Sequence, residues 1–377
     1  MKIPTRSTLG LLVGLTTAVL TTSPFAAPIA DRLERASRVS ASVSQAPLTA
    51  IQHLGKRLVM VGADGHILLR EPNGQLQQAK VPVDVLLTAV HFVDNLQGWA
   101  VGHDGVVLHS SDGGQSWDKQ LDGRTINALM LAWAEAEVAR LEQALSADNP
   151  GSDEQQLALD NARFALDDIN AGAAAGPSRP LLDVWFRNAR EGWVVGAYGM
   201  VLHTRDGGQR WDYLPDLDNP ERLHLNAVLG LVNGDLLIAG EGGRLYRQVN
   251  GQWLAAQQLT PASLYKLMQL RDGQILAMGF GASLFSSRDQ GQHWQAIPLP
   301  IKASLYGGEQ LADGSLWLTG QAGLLLHSTD LRQFSVHQSA NRGAWLGAVP
   351  LDNKQLALVG NNGLRILTTD ELKEMRR

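Results

Sequence analysis

Apolar positions along this chain come in short strand-length runs, and no helical period links them over most of its length. Seven of these runs close on a G-x-x-G or G-x-x-A loop, ending at Gly65, Gly105, Gly199, Gly243, Ala282, Gly323 and Gly363. Successive loop ends lie 40, 94, 44, 39, 41 and 40 residues apart, so the outlier is one repeat with 54 residues added. Each unit keeps one internal order. An apolar run such as "LLTAVHFV" comes first, and a second such as "GWAVG" enters the glycine loop. A third such as "VVLHSS" leaves it, and a turn leads to a fourth segment that often starts with Trp. Four short antiparallel strands per unit of this length predict an all-β fold. The expected architecture is a seven-bladed β-propeller of four-stranded blades over residues 37–377.

Two places depart from the repeat. The last unit has no evident fourth strand, since "LRILTTD" runs into the charged tail "ELKEMRR". Upstream, "SRVSASVSQ" alternates Val39, Ala41 and Val43 with polar residues. That period of two predicts an N-terminal strand completing the seventh blade, which would leave no open sheet edge. The 54 added residues predict an α-helical hairpin over 126–179, inserted between blades two and three. Ile126, Met130, Trp133, Leu141 and Leu145 fall near one helical stripe. Asn149–Gly151 reads as a turn, and Ser152 with Gln155 as a capping box. Leu157 and Phe164 follow, beside a parallel row from Leu159 to Leu166, and "AGAAAGPSRP" reads as a tether.

The N-terminus adds an address. Lys2 and Arg6 precede an apolar run from Leu9 to Leu20, and small residues follow at Ala26, Ala27 and Ala30. This predicts a secretory signal peptide over residues 1–27, cleaved near Ala26–Ala30, and a periplasmic protein. The run is shorter than the roughly 20 residues of a membrane span, and no later segment is apolar enough to make one. Without residues 1–27 the chain keeps 30 basic and 37 acidic side chains, a net charge of −7, which disfavours nucleic acid as partner. The absence of cysteine excludes thiol chemistry and thiolate metal sites.

One short motif repeats inside the blades. Ser110, Asp112, Gly114 and Trp117 recur as Thr204, Asp206, Gly208 and Trp211, and again as Ser287, Asp289, Gly291 and Trp294. Ser328, Asp330 and Phe334 form a worn copy. The carboxylate can accept turn N–H groups, a glycine supplies positive φ, and the Trp covers the hairpin. The pattern resembles the Asp-box, or BNR repeat, of sialidase-like propellers. Phe92–Trp117 and Phe186–Trp211 narrow the resemblance to the photosystem II stability/assembly factor-like propellers. Members of that family in plants and cyanobacteria help assemble photosystem II, and exported bacterial members occur in organisms without photosynthesis. The helical insertion departs from the photosynthetic pattern and places this chain with the latter.

The resemblance implies that the Asp-box is structural and that no catalytic, metal or cofactor site is present. It implies a non-enzymatic accessory or assembly factor whose partner is a membrane or envelope protein complex. His109, His203 and His327 recur at one strand position and read as packing residues. A glycan hydrolase or glycan-binding propeller of sialidase-like ancestry is the alternative, although no arginine-led sialidase motif, nucleophile elbow or phosphate loop occurs. The face carrying the glycine loops, opposite the Asp-boxes, is the candidate partner surface. Its candidate residues are Asp64, His103, Asp104, Tyr198, Glu241, Phe280, Gln321 and Asn361, with Trp133 and Phe164 of the hairpin.

Overall fold

The second strand of each repeat is the most uniformly buried part of the chain. "GWAVG", "GWVVG", "LLIAG", "ILAMG" and "LWLTG" are buried at every position. Such strands are covered on both faces, which radial stacking of sheets provides and an open sheet does not. The computed structural model describes residues 31–145, 151–177, 179–352 and 355–375. It contains seven antiparallel sheets in chain order, blades 1 to 7, over residues 48–78, 87–121, 181–213, 225–258, 264–296, 305–338 and 345–367. First strands of successive blades pack side by side, and the first strand of blade 1 packs on blade 7, closing the ring. Each interface between blades holds its own apolar cluster, as where Leu48, Met60 and Leu68 of blade 1 meet Val349 and Val359 of blade 7.

Five sheets have four strands. In blade 4 the outer strand is broken into Gln252–Trp253 and Gln257–Gln258, both paired with the third strand. Blade 7 has three strands, and the expected N-terminal fourth strand does not form. Val43–Gln45 is instead a single 3-10 turn. It still occupies the expected place, because a Cβ on Gly363 would meet the Ser44 carbonyl oxygen at 2.0 Å. In blade 1 the equivalent Gly65 abuts Val83, just past the outer strand. Val43 buries itself in the cluster between blades 7 and 1. Closure is therefore made by an apolar plug rather than a hydrogen-bonded ladder. The period-two pattern misled because Val39 is fully out in solvent, at 89% exposure. The charged tail is also ordered, as helix α3, Thr369–Met375, whose Leu372 packs with Trp317 and Trp345.

Between blades 2 and 3 the chain leaves the ring as two antiparallel helices, α1 (Gly123–Ala144) and α2 (Asp153–Ala175). Helix α1 begins three residues before the expected boundary, because Asp122 caps it by accepting the N–H groups of Arg124 and Thr125. Ser152 and Gln155 form a reciprocal capping box on α2. Ile126, Met130, Ala134 and Ile169 are buried against Leu121, Leu181 and Met200. The hairpin is thus packed onto the propeller. Trp133, placed on the stripe from sequence, is half-buried and packs against the edge of this cluster, with Ala134 fully buried beside it. No helix among the described residues is long and apolar enough to cross a membrane. The signal-peptide segment lies outside the described residues.

Candidate functional site

The glycine loops form a rigid frame with a common cause. After the second strand, the N–H of the residue following the first loop glycine donates to a carbonyl just before the blade's first strand. All seven bonds, from Ala63 to Pro47 O through Asn361 to Ala344 O, measure 2.8–3.1 Å. A Cβ on the first loop glycine would lie 2.0–2.5 Å from that same oxygen in every blade, so only glycine leaves room for the bond. Two residues on, the chain turns left-handed. Asp64, Asp104, Tyr198, Gly242, Gly281 and Ala322 take this position at φ 52–62°.

The frame displays the candidate face unevenly. Asp64, His103, Tyr198, Phe280, Gln321 and Asn361 are exposed, and Asp104 and Glu241 are half-buried. Several are already engaged: Asp64 with Arg32 at 3.5 Å, Glu241 with His224 at 2.9 Å, and Gln321 Oε1 accepting the Ser304 N–H at 3.4 Å. The eight residues belong to seven separate loops, and no single cavity collects them.

The Asp-box turns lie at the other end of each blade, between the third and fourth strands. Asp112 Oδ1 accepts the N–H groups of Gln115 and Ser116, and Ser110 Oγ accepts that of Gly114. Trp117 Nε1 donates to the Gly114 carbonyl, and its ring meets Phe92 edge-on at 5.7 Å. Thr204 and Asp206 repeat the hydroxyl and carboxylate bonds, as do Ser287 and Asp289, and Trp294 repeats the indole bond to Gly291. The Asp206 carboxyl is held below the usual carboxylate range by the backbone N–H of Arg210, and Asp289 by the backbone and imidazole of His293. These acids accept the backbone N–H groups that hold the turns. The repeated histidines pack on tryptophans of the neighbouring strand: His203 stacks on Trp193 at 4.5 Å, and His109 and His327 meet Trp99 and Trp317 at a tilt, at 4.9 and 4.7 Å.

The cavity that does gather candidate residues is the groove between the hairpin and blade 3, about 560 Å³ in volume. Ala158, Ala162 and Ala165 of α2 line one wall, with Trp133 of α1, and Tyr198, Tyr213, Pro215, Leu217 and Pro220 line the other. Trp133 meets Tyr213 edge-on at 5.4 Å. Phe164 stands at the lip with 74% of its surface exposed, and Leu157, two helical turns earlier on the same side, is 59% exposed. Large apolar side chains left uncovered beside a cleft mark a binding surface more often than a packing error. Sequence reasoning named Trp133, Phe164 and Tyr198 but missed the segment 215–222. That stretch reads as a plain polar linker until Asn219 folds it by bonding both backbone groups of Leu223.

The family model described as photosynthesis system II assembly factor YCF48 matches residues 175–253, which span blade 3 and most of blade 4. The photosystem II assembly protein Ycf48 of Synechococcus sp. (strain JA-2-3B'a(2-13)) is 27% identical over 294 residues, covering 73% of this chain and 83% of its own. A photosystem II assembly lipoprotein Ycf48 of Synechococcus sp. (strain CC9902) is 26% identical, covering 54% and 59%. Solved structures share the fold. YCF48 bound to D1 peptide aligns at a TM-score of 0.57 with 17% identity, covering 86% of this chain and 91% of that one. YCF48 from Cyanidioschyzon merolae gives the same TM-score with 14% identity, covering 89% and 98%.

This chain is similar in sequence to the Ycf48 photosystem II assembly proteins and shares the propeller fold of the YCF48 structures.

Like other propellers it has a central channel, here a cavity of about 580 Å³ lined by the first strands. The glycan-hydrolase alternative expects acids and arginines to converge there. Arg271 is the one arginine in the lining, beside Lys266, Tyr265, Tyr306, Asp183 and Glu309. Asp183 accepts the Val228 N–H at 3.1 Å and lies 3.7 Å from Lys266. An arginine grip on a substrate carboxylate is not assembled among these residues. Burial pushes the Glu309 carboxyl up to about 7. Its folded value lies above the ordinary 4.5, so the protein loses stability as pH rises from 4.5 toward 7. Glu309→Gln, which cannot ionise, is expected to raise the denaturation midpoint at pH 8 and leave it unchanged at pH 4. Chemical denaturation at the two pH values checks this.

Proposed function

We propose that this chain is a non-enzymatic, exported accessory factor that holds a peptide segment of a membrane or envelope protein complex in the groove between its hairpin and blade 3. The observation carrying this reading is the groove itself. It has aromatic walls, Phe164 in its lining and Leu157 beside it on α2 are uncovered, and it borders the glycine-loop residue Tyr198. Three further facts support the reading. Relatives are named assembly proteins, one of them a lipoprotein, and a structurally similar protein is seen with a peptide. Export is argued from the basic start, apolar run and small residues of segment 1–27.

A photo-crosslinking residue at position 164, in cells, is expected to capture an integral membrane protein, identified by mass spectrometry. The same residue at position 232, where Val232 is 93% exposed away from the groove, is expected to capture none. Equal capture from both positions, or soluble proteins alone at 164, overturns the proposal.

A further inference from the structure

Arg222, part of the groove's lining, shares one carboxylate with Arg179, and both guanidiniums keep unused donors. Along α2, the wall residues Ala158, Ala162 and Ala165 lead one turn on to Asp168. Asp168 Oδ2 accepts Arg222 Nη1 at 2.8 Å and Arg179 Nη2 at 3.2 Å, so one carboxylate serves two guanidiniums. Arg179 Nη1 and Arg222 Nη2 are both buried and make no hydrogen bond among the described residues. The Arg179 side chain is only 8% exposed. Of the acids lining the groove, Glu137 pairs with Arg140 and Glu221 with Arg244, while Asp218 accepts the neutral Ala256 N–H; none of these contacts reaches Arg179 or Arg222.

Local structure is arranged around these guanidiniums. Gly172 lies inside α2, where glycine is less stable than alanine because it loses more backbone freedom on folding. A Cβ there would sit 2.2 Å from Arg179 Nη2, so the glycine makes room for that group. Tyr198 lies over Arg179 with 4.9 Å between guanidinium carbon and ring centroid. It takes the left-handed position that other blades give to Asp, Gly or Ala, a costly backbone state for a bulky side chain, and the cation–π contact offsets that cost. A buried guanidinium with unused donors is expensive, and a carboxylate is the group whose paired oxygens match its fork.

We propose that this end of the groove is a carboxylate anchor. It selects, in the peptide segment the groove holds, an acidic side chain flanked by apolar residues. The assignment rests on the peptide-holding reading above. A side chain is favoured over a chain terminus because the unused nitrogens lie below the surface, where a group must project from backbone resting in the groove to reach them.

Isothermal titration of the full chain with three peptides tests this: acetyl-Leu-Phe-Glu-Phe-amide, its Gln counterpart, and acetyl-Leu-Phe-Phe with a free terminal carboxylate. The Glu peptide is expected to bind about tenfold more tightly than the Gln peptide, the gain typical of a charged hydrogen bond. Arg222→Gln is expected to bring that ratio to near one. Gly172→Ala, which favours the helix but displaces Arg179, is expected to lower the ratio as well, and it provides the test if Arg222→Gln does not fold. Equal binding of the Glu and Gln peptides, or no binding of either, overturns the anchor. So does an undiminished ratio in both variants. Binding of the free-carboxylate peptide as tight as that of the Glu peptide overturns the side-chain assignment. Failure of the anchor with crosslinking at residue 164 intact leaves the groove reading standing, whereas loss of crosslinking removes both.

Discussion

Trp99→Ala is expected to destabilise the propeller by about 3–5 kcal/mol, the cost of emptying a large buried aromatic site. Trp99 has no exposed surface and lies between two blades. On one side its ring stacks on Phe186 of blade 3 at 3.6 Å between centroids and 8° between planes. On the other it covers His109 of its own blade. Removing it therefore opens the wall between blades 2 and 3 as well as a core inside one sheet. The loss is large against the roughly 5–15 kcal/mol that holds a typical protein folded. Guanidinium denaturation of the variant beside the parent measures it, and a shift under about 1 kcal/mol would mean that the neighbouring blades collapse into the space.

Met130→Ala is the second large expected effect, at about 2–5 kcal/mol. Met130 is fully buried where α1 meets the propeller, alongside Ile126, Ala134 and Ile169. Phe164→Ala, on the groove side of the same hairpin, is expected to change stability by less than about 0.5 kcal/mol, because most of the ring already faces solvent. Thermal unfolding of the two variants separates the face that packs from the face that is free to bind. For the same reason, excising residues 127–178 is a poor functional test, since it strips the cover from Leu121, Leu181 and Met200. Point changes at the groove lip leave that cover in place.

The fold was legible because every blade states it again. The loop glycine, the buried second strand and the Asp-box each recur for a local reason that needs no distant partner. The hairpin was legible for the same kind of reason, since its caps and period are local. The site was legible only in pieces. Trp133, Phe164 and Tyr198 could be named as candidates, yet the sequence did not say that they border one groove with Tyr213 and the 215–222 loop. The loop-face residues Asp64, His103, Asp104, Glu241, Phe280, Gln321 and Asn361 share a face but no cavity, because a repeat fixes which end of a blade a residue occupies and not which neighbour bends toward it.

Ring closure and the arginine pair show where that limit lies. Alternation at Val39, Ala41 and Val43 gave a strand pattern, but the fourth position of blade 7 is filled by a turn. What the gap between two blades rewards is one buried Val43, not a full ladder. Arg179, Arg222, Asp168 and Gly172 are spread over 55 positions and carry no motif. They meet only because α2 returns to the ring beside blade 3. By itself the sequence determined the seven-fold repeat, its turns and the place of the insertion, since each rests on interactions within about 40 residues. Only the tertiary structure decided which face of the hairpin stays uncovered and which guanidinium donors go unused, because both depend on what the closed ring brings against them.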